Sequence, residues 1–122
     1  MKIAIPVEDK SIESNMSRNF GRSSFFLIYD IETKEEKYLD NNAATSQGGA
    51  GVKAAQTIID QKVDGIIVPR CGRNAADIIQ RANIKLFQGN NVSAHENIEA
   101  LKNNKLDKLK DIHAGFHRHG GN

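Results

Sequence analysis

The stretch Asp64-Gly65-Ile66-Ile67-Val68-Pro69-Arg70-Cys71-Gly72-Arg73-Asn74-Ala75-Ala76-Asp77-Ile78-Ile79-Gln80-Arg81-Ala82-Asn83-Ile84-Lys85-Leu86-Phe87 decides the fold. Ile66-Ile67-Val68 is a short continuous apolar run, as expected of a strand covered on both faces. Ala75, Ile78, Ile79 and Ala82 then recur at the spacing of one helix face, and Asn74 is placed to cap that helix. Ile84 to Phe87 is a further buried strand. Strand, helix and strand in this span make a crossover unit, whose strands lie parallel and whose hand is nearly always right.

The same pattern extends upstream. Val52, Ala55 and Ile59 form a helix face broadened by Ile58, entered from the small-residue stretch Asn41 to Gly51. Ile3 to Val7 is another buried strand, which Pro6 is expected to end. Residues 8 to 24 are polar and read as a long loop. Phe25 to Tyr29 and the more polar Glu35 to Asp40 fit a hairpin turning near Glu32-Thr33-Lys34, with its second strand on an edge. Downstream, Ser93-x-x-Glu96 is a capping box ahead of a last helix. The predicted fold is α/β: a mixed five-stranded sheet in spatial order 3-2-1-4-5, strand 2 antiparallel, with helices on both faces. Residues 1 to 110 are expected to form one domain and 111 to 122 a flexible tail containing His and Gly. Ligands of open α/β sheets gather at C-terminal strand ends beside a switch point, here Val7 to Arg22 facing Pro69 to Asn74.

Composition narrows the class. The chain has 122 residues, 39% apolar and 26% charged, which suits one folded domain. With 17 Lys and Arg against 15 Asp and Glu, a net charge of +2 provides no field for nucleic acid. A single cysteine excludes an intramolecular disulfide and a thiolate-only metal site. No apolar run reaches the length of a signal peptide or membrane span, so a cytoplasmic protein is expected, monomeric or weakly self-associating.

Three segments carry a family likeness: Ser17-Arg18-Asn19-Phe20-Gly21-Arg22 ahead of Phe25-Phe26, Gly48-Gly49-Ala50-Gly51 opening the first helix, and Gly72-Arg73-Asn74-Ala75 opening the second. Residues 1 to 110 resemble the dinitrogenase iron-molybdenum cofactor biosynthesis family of the NifX and NafY type, whose fold is ribonuclease H-like. The resemblance implies a small carrier that holds an iron-sulfur or molybdenum-containing cluster, or its precursor, between a donor and a recipient protein. Asn19 stands where cluster-carrying relatives often have His, and an amide is the poorer iron ligand. Ser17, Phe20, Gly21 and Arg22 match, which implies a retained loop shape.

The residues themselves suggest how such cargo is held. Cys71, flanked by Arg70 and Arg73 at a helix start, is the leading metal ligand, because guanidinium groups and helix N-termini favour a thiolate. Its alternative role is that of a small hydrophobe filling the strand end. Gly48, Gly49 and Gly51 allow backbone N–H groups to turn toward an anion at a helix start, or merely permit a flexible connection. Arg22, Arg70 and Arg73 are candidates for a cationic rim. His113, His117 and His119 have a spacing able to bind zinc, nickel or copper.

Catalysis is the weaker expectation. Two-metal phosphoryl chemistry needs carboxylates on the central strands holding ions about 4 Å apart. The first strand offers Ile-Ala-Ile-Pro-Val, and the fourth ends in Pro69-Arg70-Cys71. A hydrolase would depend on Glu8 and Asp9, just past the first strand. The expected role is therefore non-catalytic cluster binding. The alternatives are a small-anion-binding regulatory or interaction domain and, behind it, a metal-dependent hydrolase.

Overall fold

The computed structural model describes residues 1–46 and 48–113. Its main sheet contains β1 (Lys2–Val7), β2 (Phe25–Asp30), β3 (Glu36–Asp40), β4 (Gly65–Val68) and, after the two-residue β5 (Cys71–Gly72), β6 (Lys85–Gln88). The sheet order is β3-β2-β1-β4-β6. β1 pairs antiparallel with β2 and parallel with β4, and β4 pairs parallel with β6. This is the predicted arrangement, with β6 as the fifth strand in sheet order. β5 pairs parallel with β7 (Ile112–His113) as a separate two-stranded ribbon.

Period-two alternation along the strands sorts the core into two layers. Ala4, Phe26, Ile28, Ile66, Val68 and Leu86 face α1 (Ala50–Ile59) and α2 (Arg73–Arg81), meeting Ala54, Ala55, Ile58, Ala75, Ala76 and Ile79. Ile3, Ile5, Val7, Leu27, Tyr29 and Ile67 face the other way, toward Ala94 and Ile98 of α3 (Ala94–Lys102). The alanines at the sheet–helix contact let α1 and α2 lie close to the sheet. All four residues of β4 are buried, as its continuous apolar run requires.

Three expectations need correction. β1 runs through Pro6 to Val7. The parallel ladder to β4 covers only Ile3 and Ala4, and the Pro6 carbonyl accepts the Ser17 N–H at 2.8 Å instead. The missing proline N–H would point to that same side, where no ladder continues. Helix α2 begins one residue before Asn74, with Gly72 as its N-cap. Ile112 and His113 are not part of an unpacked tail, because they pair with Cys71 and Gly72. A 3-10 turn at Asn42–Thr45 was not expected; the side chain of Asn41 caps it by accepting the Ala43 N–H.

Candidate functional site

The Ser17–Arg22 loop leaves the end of β1 through the Pro6–Ser17 bond and folds on its own short polar side chains. The buried Ser17 hydroxyl donates to the Asn19 carbonyl at 3.3 Å, and Asn19 Oδ1 accepts the Arg22 N–H at 3.2 Å. Asn19 therefore serves as a turn acceptor. Phe20 is buried against Phe26, their ring centroids 5.5 Å apart. Gly21 lies against the start of α1, where an added Cβ would be 2.9 Å from Gly51 N and 3.0 Å from Gly51 Cα. Only glycine permits that backbone-on-backbone approach. Asn41 fixes it from behind, its Nδ2 donating to the carbonyls of Gly21 and Ser23 at 3.0 and 2.9 Å. Arg22 Nη1 donates to the carbonyls of Ala44 and Ser46 at 2.9 and 3.0 Å.

The two helices that meet this loop start alike. Gly49 caps α1 with φ of +68°, and Gly72 caps α2 in extended conformation; neither offers a side chain to the first-turn N–H groups. Neither first turn contains an acid. Among the described residues no side chain caps either helix start, and each presents the positive end of the helix dipole.

The opposite wall is Arg70 to Asn74 with the β5–β7 ribbon. Cys71 is 2% exposed, and burial pushes its thiol up to about 11. Desolvation outweighs the helix end and the flanking guanidinium groups, so the expected thiolate is a thiol at neutral pH. The Cys71 N–H donates to the Asp111 carbonyl at 3.0 Å, and the Asp111 carboxylate lies 3.8 Å from Arg70 Nε. His113 packs over Gly72, whose Cβ position is 3.5 Å from His113 Cε1.

These walls enclose one cavity of about 530 Å³. It brings together Asn19 to Arg22, Gly49 and Gly51, Arg70 to Arg73, and His113 from the sequence expectations. Gly48 is exposed and does not line it, while Ser17 borders a neighbouring hollow with Glu8 and Asp9. Four arginines line the cavity, Arg18, Arg22, Arg70 and Arg73, and among the described residues no carboxylate does. Of the expected ligand set, Cys71 and His113 line the cavity, and His117 and His119 lie outside the described residues. Among the described residues no three His, Cys, Asp or Glu side chains cluster as a metal site.

A family model described as dinitrogenase iron-molybdenum cofactor matches residues 1–104. The chain belongs to this family. Solved structures agree on the fold. The apo form of the orange protein from Desulfovibrio gigas is 23% identical with a TM-score of 0.85, over 90% of this chain and 93% of that one. A Thermotoga protein named as a candidate NifB is 29% identical with a TM-score of 0.78, covering 98% of each chain. A Methanocaldococcus jannaschii protein named as a candidate dinitrogenase is 19% identical with a TM-score of 0.68, over 91% and 96%. No curated protein matches the chain.

Within this member of the dinitrogenase iron-molybdenum cofactor family, sequence reasoning missed two contributors. Arg18 lines the cavity and stands between residues already singled out. Asn41 supports Gly21 from a segment read only as small and flexible; its signal was an Asn directly ahead of a short turn, the usual position of a cap. No helix among the described residues is long and apolar enough to cross a membrane.

Proposed function

We propose that this chain is a non-catalytic cytoplasmic carrier that holds an anionic metal–sulfur cluster, or a precursor of one, and passes it to a recipient protein. The observation that carries the reading is a cavity that, among the described residues, is lined by four arginines and no carboxylate and receives two helix starts without side-chain caps. Cationic side chains gathered around one cavity repel one another, and an anion relieves that repulsion. The volume, about 530 Å³, lies within the range of small-molecule sites. Among the described residues Cys71 and His113 supply one soft donor and one imidazole on a single wall, fewer than a cluster held by ligation alone needs. Charge and N–H groups provide the grip, and a metal reaching Cys71 Sγ displaces its proton. The family membership agrees with cargo of this class.

Anaerobic reconstitution of the purified chain with iron, sulfide and molybdate tests the proposal. A coloured, metal-bearing chain that keeps its colour through gel filtration is expected. A chain that stays colourless and metal-free overturns it. The sparse donor set also fits a small-anion-binding domain, and phosphate binding without any cluster uptake decides for that second reading.

A further inference from the structure

The hydrogen bonds of the four cavity arginines divide them into two pairs. Arg22 commits Nη1 to the Ala44 and Ser46 carbonyls, which ties the segment ahead of α1 to the Ser17–Arg22 loop. Arg70 is opposite Asp111 at 3.8 Å, which joins its wall to the chain just before β7. Arg18 and Arg73 differ. Among the described residues neither has an ion-pair partner within 4.0 Å or a side-chain hydrogen bond, and they sit on opposite walls. Arg73 is also the first residue of α2, so its charge adds to an uncapped helix start.

We infer that Arg18 and Arg73, one on each wall, grip the negative charge of the ligand, while Arg22 and Arg70 hold the walls in shape. A guanidinium already donating to two carbonyls gains little by exchanging them for an anion. One without a protein partner among the described residues gains a charge-assisted pair with the anion. Arg18 also borders the hollow that contains Glu8 and Asp9, yet forms no ion pair there within 4.0 Å, so it is available to the cavity. The inference rests on the carrier reading for what the cargo is, and on the cavity's own charge for where it is held.

Titration of the full chain with sodium molybdate, and separately with inorganic phosphate, at fixed ionic strength tests it. Arg18→Gln and Arg73→Gln are each expected to weaken binding of a probe by about tenfold or more, the loss of a charge-assisted pair. Each should also flatten its salt dependence. Arg70→Gln is expected to lose clearly less than either, because the Asp111 carboxylate already offsets part of its charge. Amide NMR spectra like the parent's establish that each variant is folded, and Arg73→Lys should restore part of the affinity lost in Arg73→Gln. The inference is overturned if Arg18→Gln and Arg73→Gln bind like the parent, if Arg70→Gln loses as much as they do, or if the parent binds neither probe. Cluster loading separates the two proposals. A parent that loads, with Arg18→Gln and Arg73→Gln loading equally well, overturns this inference and leaves the carrier reading standing. A parent that binds phosphate through Arg18 and Arg73 but never loads overturns the carrier reading alone.

Discussion

Helix α3 and the pair α1 and α2 treat their N-termini in opposite ways. At α3, Ser93 Oγ accepts the Glu96 N–H at 3.0 Å and Glu96 places a carboxylate in the first turn, so the helix answers its own donors and dipole. At α1 and α2 the caps are glycines and the first turns hold no acid. The capped start lies on the sheet face away from the cavity; both uncapped starts open into it. Stability at those two ends is left incomplete where an anion can complete it, the usual form of a trade between stability and binding.

The largest expected effect breaks the fit that holds the α1 start in place. Gly21→Ala drives a methyl into the Gly51 backbone, which cannot swing aside as a side chain could. It should destabilise the fold by about 3 kcal/mol in urea unfolding. A loss below about 0.5 kcal/mol would show that the two backbones separate freely.

Next is the thiol beside the α2 start. Its folded pKa is raised from 9.0 to about 11, so the protonated form contributes fully at neutral pH and its contribution falls as pH rises from about 9 to 11. Over that window the stability of the parent relative to Cys71→Ala should fall by on the order of 2–3 kcal/mol. A difference independent of pH would mean that the helix end and the arginines cancel the effect of burial, and one that grows with pH would mean that they govern the thiol. Alkylation in native buffer should be slow for the same reason.

Smaller still is the direct exchange of caps. Ser93→Ala should cost about 1 kcal/mol with no effect on anion binding. Gly72→Asp should do the reverse. Gly72 has φ of −71° and room for a Cβ, 3.5 Å from its nearest neighbour, so an Asp there can cap α2. It should raise stability by a few tenths of a kcal/mol and abolish phosphate binding by placing a carboxylate in the cavity. Gly72→Asn, a neutral cap, should stabilise similarly and bind more strongly than Gly72→Asp. Equal binding by all three would remove the meaning of the contrast.

Much of the fold was legible because hydrophobic period reports burial directly. The runs at Ile3–Val7 and Ile66–Val68 marked strands covered on both faces, and the crossover rule placed them side by side. Ser93 and Glu96 announced α3 because a capping box is a local device. The misreadings at Pro6 and Asn74 share one cause. Whether a proline is tolerated depends on which neighbouring strand stops short, and which residue caps a helix depends on where the preceding strand releases the chain. Neither quantity resides in the few residues on either side.

By itself the amino-acid order determined the elements, their succession and the two loop systems that flank the switch point. Period, caps and glycine content act over a few residues, and those distances are written along the chain. Only the tertiary structure decided that Gly21 rests on Gly51, that Ile112–His113 returns to pair with Cys71 and Gly72, and that four arginines share one cavity. The protonation of Cys71 was decided there too, because desolvation depends on everything packed around a sulfur, whereas flanking arginines are only its neighbours in sequence.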